Sequence, residues 1–98
     1  MKVSFEWDEG NDVKSYTKHG VSREEAESLF HDPGRLDFAD PLHSGVENRF
    51  VTVGRSSRPR ILLVAWTLRG RRVRVISARP ASRKERRVYE ERSKTRGA

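Results

Sequence analysis

Cysteine is absent from the 98 residues. That excludes a disulfide framework and thiolate chemistry. Long apolar runs are absent too. The longest, Ile61-Leu62-Leu63-Val64-Ala65-Trp66, falls far short of the roughly 20 residues a helix needs to cross a bilayer. The opening MKVSFEWDEG carries no signal-peptide core, so a soluble cytoplasmic protein without membrane contact is expected. Neither G-x-x-x-x-G-K-[ST] nor G-x-G-x-x-G occurs, which removes the phosphate-cradling loops of nucleotide cofactors. No G-x-S-x-G elbow is present, and no serine has a positioned His–acid pair to activate it. His19, His31 and His43 lack metal-ligand spacing to one another or to an acidic pair. No metal and no cofactor are expected.

Acidic charge is the remaining scarcity. There are 14 Asp+Glu against 21 Lys+Arg, a net charge of +7, and most of the excess lies after Arg49. The stretch RVRVISARPASRKERRVYEER, Arg72 to Arg92, holds seven arginines and one lysine. Such asymmetry points to a polyanion, of which nucleic acid is the commonest. A solvated basic surface, or an anchor for an acidic protein, is the plainer alternative.

The length suits one domain over 1–98, with 93–98 as a frayed tail. In VSFEW, Val3, Phe5 and Trp7 alternate with Ser4 and Glu6, the pattern of a strand with one buried face. Asp8 is placed to cap a helix carrying Val13 and Tyr16, which Gly20 ends. Ser22 and Glu25 make an S-x-x-E capping box for a second helix with Ala26, Leu29 and Phe30 on one stripe. The two helices read as an αα-hairpin. Leu36 and Phe38 suggest a short strand. RFVTVG, RILLVAWT and RRVRVISA read as three strands with short connections, hence an antiparallel meander with the doubly apolar middle strand at its centre. Pro80 stops the last strand. Ser82 and Glu85 form a second capping box for a final helix to about Arg92, whose one clear apolar contact is Val88. The order is β-α-α-β-β-β-β-α, an α+β domain. On the last strand, Arg72 and Arg74 are expected to share a face with Ile76, and Val73, Val75 and Ser77 the opposite face.

Arginine forks grip phosphate in a bidentate way. RNA cleavage through the 2′-hydroxyl needs that grip on the phosphorane, together with a base and an acid, for which Glu47 and His43 are candidates. The plainer reading of His43 is an exposed loop residue. The plainer reading of the arginines is surface pairing with Glu85, Glu90 and Glu91.

FEWDEGNDVKSYTKHGVSREEAESLFHDP, DPLHSGVENRFVTVG and RVISARPASRKERRVYE closely resemble the BrnT family, toxins of type II toxin–antitoxin systems. The resemblance covers Phe5 to about Glu90, with departures at Asn11-Asp12 and Ser15. It implies a RelE-like fold, a ribonuclease that arrests translation without a metal, and neutralisation by a BrnA-like antitoxin. That antitoxin would carry a ribbon-helix-helix segment. It would dimerise to build a heterotetramer and supply the contacts to operator DNA. The resemblance assigns Glu47, Arg49, Arg69, Arg79 and Tyr89 to the catalytic set, with His43 added on chemical grounds. Arg72, Arg74, Arg83, Lys84 and Arg86 become the RNA-phosphate surface. The competing reading is a non-catalytic basic module that docks a ribbon-helix-helix partner.

Overall fold

The computed structural model describes residues 4–7, 19–43, 45 and 47–96. The expected alternation sets strand β1 (Ser4–Trp7), whose Phe5 and Trp7 pack against the core. Val3, the helix expected after Asp8 and most of the αα-hairpin lie outside the described residues. So do Asn11, Asp12 and Ser15. Gly20, with φ 66, takes the left-handed backbone that its stop position calls for.

Helix α1 (Arg23–Ser28) starts where expected, with the Glu25 N–H donating to Ser22 Oγ at 3.2 Å. Only half of that capping box forms. The Glu25 carboxylate turns inward instead, 2% exposed, and accepts from Arg60 Nε at 2.6 Å, Arg60 Nη2 at 2.7 Å and Ser56 Oγ at 2.7 Å. A guanidinium is a better partner for a buried carboxylate than one backbone N–H, and it holds Glu25 below the usual carboxylate range. A 3-10 turn, Leu29–His31, completes the segment.

The chain then crosses to β2 (Leu36–Ala39) and, after a second 3-10 turn (Pro41–His43), runs through β3 (Arg49–Arg55), β4 (Ile61–Arg69) and β5 (Arg72–Pro80). The sheet order is β1-β5-β4-β3-β2. β3 to β5 form the expected antiparallel meander with β4 central, and β2 extends it on the free edge of β3. β1 adds to it in parallel, with Phe5 opposite Val73 and Trp7 opposite Val75. Gly70, with φ 58, takes the first place of the two-residue β4–β5 loop, where the mirror-image hairpin turns need positive φ.

Val21, Ala26, Leu29 and Phe30 bury against Leu62, Val64, Val73, Val75 and Ala78 on one face. Phe30 sits 5.3 Å from the Phe5 ring and 5.8 Å edge-on from Trp66. Helix α2 (Arg83–Arg96) covers part of the other face. Both halves of its capping box form: Glu85 N–H to Ser82 Oγ at 3.2 Å, and Ser82 N–H to Glu85 Oε1 at 2.8 Å. It continues past Arg92 to Arg96. Its anchor is Tyr89, 5% exposed, with Val88 beside it on Leu36, Val53, Phe38 and Leu63. Tyr89 also donates from its hydroxyl to Asp32 Oδ2 at 2.6 Å. Asp32 further accepts from Arg55 N at 2.8 Å and Gly34 N at 2.9 Å, so one carboxylate joins the α1 segment, β3 and α2.

The facing expected for β5 holds only to Val75. Ala65 pairs with Ser77 but Trp66 pairs with Val75, which leaves Ile76 as an inserted bulge residue. Beyond it the phase reverses: Ser77 is exposed and Ala78 is fully buried.

Candidate active site

The bulge decides which way the arginines point. In an unbroken pleat Arg79 would share a face with Val73 and Val75 and enter the core under α1. With Ile76 inserted, Arg79 joins Arg72 and Arg74 on the opposite face.

Side chains paired across strands stand on one face, so the register draws that face row by row. Ser4, Arg72 and Arg69 form one row. Glu6, Arg74, Thr67 and Arg49 form the next. Ser77, Ala65 and Val51 follow, then Arg79, Leu63 and Val53. The described residues of α2 pack over the apolar end, on Val53, Leu63, Leu36 and Phe38. The arginine end stays outside that cluster, with Arg69 and Arg72 exposed and Arg49 and Arg74 half-buried.

Arg69 lies between two carboxylates. Its Nη1 is 3.7 Å from Glu6 Oε1 and its Nη2 is 3.7 Å from Glu47 Oε1. Arg49, Arg69 and Glu47 are therefore brought together, with Arg72 and Arg74 in adjacent rows. Glu6 joins them although sequence reasoning did not select it. Its strand was legible, but the parallel pairing that sets Glu6 opposite Arg74 was not.

Arg79 stands apart. Its row, at Leu63, lies four steps along β4 from the Arg74 row at Thr67, about 13 Å at the usual rise per residue. Its Nη1 and Nη2 each donate to Glu85 at 2.9 Å, and Nη1 also reaches Pro80 O at 3.1 Å. That fork lowers the Glu85 pKa and raises the Arg79 pKa. Tyr89 is buried against Leu36 and Val53 at the apolar end, with its hydroxyl on Asp32. The His43 side chain lies outside the described residues. Arg83, Lys84 and Arg86 are exposed on the first turns of α2. A cavity of about 460 Å³ opens between that helix and the sheet, lined by Phe38, Val51, Val53, Leu63, Lys84, Glu85 and Val88. No cluster of three metal-ligating side chains occurs among the described residues. No described helix is long and apolar enough to cross a membrane.

A sheet face carrying arginines with carboxylates between them has the groups that phosphodiester chemistry needs. Comparison with known proteins gives the fold and the family. The crystal structure of the Brucella abortus ribonuclease toxin, BrnT, superposes with a TM-score of 0.62 at 22% identity, covering 84% of this chain and 100% of that one. No curated protein matches the chain. The family model described as "Ribonuclease toxin, BrnT, of type II toxin-antitoxin system" matches residues 7–85. With most of its length inside that match, the chain belongs to the BrnT family of ribonuclease toxins of type II toxin–antitoxin systems.

Proposed function

We propose that this chain cleaves RNA on the arginine end of its sheet and is silenced by an antitoxin that covers the same face. The observation that carries the proposal is the Arg49–Thr67–Arg74–Glu6 row beside Arg69 and Arg72, with Glu47 in reach of Arg69. In the proposed reaction Glu47 takes the proton of the ribose 2′-hydroxyl. The 2′-oxygen attacks the adjacent phosphorus and the bond to the 5′-oxygen breaks, leaving a 2′,3′-cyclic phosphate. Arg49, Arg69, Arg72 and Arg74 neutralise the phosphorane charge. Fixed cations aimed at developing charge lower such a barrier more than any other single effect, so no metal is required. His43, in the loop that leads to Glu47, supplies the proton for the leaving 5′-oxygen, histidine being the side chain that exchanges protons near neutrality. Arg79, held by Glu85, and the exposed Arg83, Lys84 and Arg86 extend the phosphate track along α2.

The antitoxin in this reading is BrnA-like, a ribbon-helix-helix protein whose dimer carries two toxin chains. Its apolar residues would complete α2 and its carboxylates would meet the arginines. Operator DNA is then bound by the antitoxin, whose ribbon-helix-helix segment reads base edges while the toxin's arginines reach phosphate. The toxin acts in the cytoplasm, where its substrate is.

The test is induction of the chain alone in a bacterial host, with RNA integrity followed over time. Wild type arrests growth and degrades RNA. The Arg49→Ala, Arg69→Ala double variant, with both changes at polar positions outside the core, folds and does neither. A wild-type chain that is inert both in cells and on purified RNA refutes the proposal and leaves a docking module in its place.

A further inference from the structure

The cavity under α2 is not used by the cleavage chemistry above, yet it adjoins the groups that perform it. Its floor is Phe38, Val51, Val53 and Leu63, its helix wall is Val88, and its rim carries Lys84 and Glu85. Val51 is two residues from Arg49 on β3, about 7 Å along the strand, comparable to one nucleotide step in an extended single strand. Leu63 stands in the same cross-strand row as Arg79. Arg92 lies over the Phe38 ring at 5.6 Å, which sets a further cation at the aromatic end.

Resting on the ribonuclease reading, we infer that this cavity is a nucleobase subsite: it holds one base of a single-stranded RNA whose neighbouring phosphate lies on the Arg49–Arg74 row. Its volume of about 460 Å³ falls within the roughly 300–1,000 Å³ range of small-molecule sites. The lining is apolar with two polar groups at the rim, as such sites are. Phe38 offers the ring on which a base stacks. Lys84 presents donors to a base edge, contacts that an aliphatic side chain of a protein partner would leave unused. The charge around it favours a strand that brings a phosphate every residue. An aliphatic helix from the antitoxin is the rival occupant.

The experiment uses a 2′-O-methylated pentanucleotide, which lacks the nucleophile and is bound without being cut. Each position is replaced in turn by an abasic residue, and affinity is measured against the whole protein. One position is expected to lose affinity by about fivefold or more, the size of a lost base–aromatic stack, and the others much less. Val51→Phe, which fills the half-buried floor, should abolish the difference at that one position and leave the affinity of the fully abasic strand unchanged. An equal loss at every position in the wild type overturns the inference, and this arm needs no variant to fold. So does a Val51→Phe chain that keeps the position-specific loss but binds its antitoxin more weakly, since the groove then belongs to the protein partner. If the pentanucleotide is bound without base discrimination while unmodified RNA is still cleaved, the subsite fails and the ribonuclease reading stands. If neither RNA is bound, both fail.

Discussion

Tyr89→Phe removes one hydroxyl and leaves the ring. The ring still covers Leu36 and Val53, so the change acts on the hydroxyl that donates to Asp32 Oδ2 at 2.6 Å. Hydrogen bonds to a charged acceptor contribute about 1.5–3 kcal/mol. Asp32 is half-buried and keeps the Arg55 and Gly34 donors, which places the loss near the lower end, about 1.5–2 kcal/mol. For a domain of this size that lowers the melting temperature by about 6–15 °C. The loss should depend on pH in a defined direction. Burial pushes the Asp32 carboxyl up, but hydrogen bonds from Tyr89, Arg55 and Gly34 outweigh it and hold the folded pKa below the ordinary value. A carboxylate depressed in this way stabilises the fold fully above its unfolded pKa of about 3.9, and the contribution is lost as pH falls through the folded value. The gap between wild type and Tyr89→Phe is therefore widest near neutrality and narrows below about pH 4. Thermal melts from pH 3 to pH 7, paired with single-turnover RNA cleavage at a temperature where both proteins are folded, measure both quantities. Cleavage should survive, because the Tyr89 hydroxyl is committed to Asp32 and its ring to Leu36 and Val53. A variant with unchanged stability and abolished cleavage would refute this reasoning and return Tyr89 to the chemistry.

Glu25→Ala strands the Arg60 guanidinium, and about 3 kcal/mol of stability should go with it, the low end for a broken buried pair because Arg60 keeps some exposure; a denaturant midpoint equal to wild type would contradict this. Glu47→Gln should cut the cleavage rate at least a hundredfold, as loss of a general base does, without moving the melting temperature; equal rates would remove Glu47 from the base role. The logarithm of RNA affinity should fall against the logarithm of salt concentration with a slope of about −3, from four phosphate contacts on a single strand, and Arg72→Ala should flatten it by about 0.7; an unchanged slope would place the phosphate track elsewhere. Deleting Ile76 should remove the bulge while Trp66 still meets Val75 and Ala65 still meets Ser77, so Arg79 keeps its face and the domain folds; an unfolded deletion chain would show that Ile76 is more than the one extra residue of the bulge.

The meander was legible because β4 is apolar on both faces while its neighbours alternate, and because the short loops left few other pairings. The second capping box was legible because Ser82 and Glu85 both fulfil it, and the Arg79 fork on the Glu85 carboxylate leaves room for the Ser82 N–H. Glu25 was misread in part: its spacing to Ser22 fits a capping box, but Arg60 is 35 residues away in sequence and no local pattern announces it. The bulge was invisible for a related reason. Ile76 is as good a strand residue as its neighbours, and only the pairing with β4 singles it out. Of the candidate site, Arg49, Arg69, Arg72, Arg74 and Glu47 could be selected by residue type and family resemblance. Their common face is a product of strand register, and so is the place of Glu6 among them.

The first strand of the chain and the last strand of the sheet lie side by side. On a ribosome adding roughly 5–20 residues per second, β1 emerges early and has no neighbour until β5 follows it. The Glu6–Arg74 end of the central row cannot close before then, nor can Tyr89 reach Asp32 across 57 residues. Contacts of such long sequence separation form late and together. The complete Glu6–Arg74–Thr67–Arg49 row therefore cannot exist before β5 has been made. A ribosome, itself largely RNA, makes the β1 to β4 segment of this chain before that row is assembled.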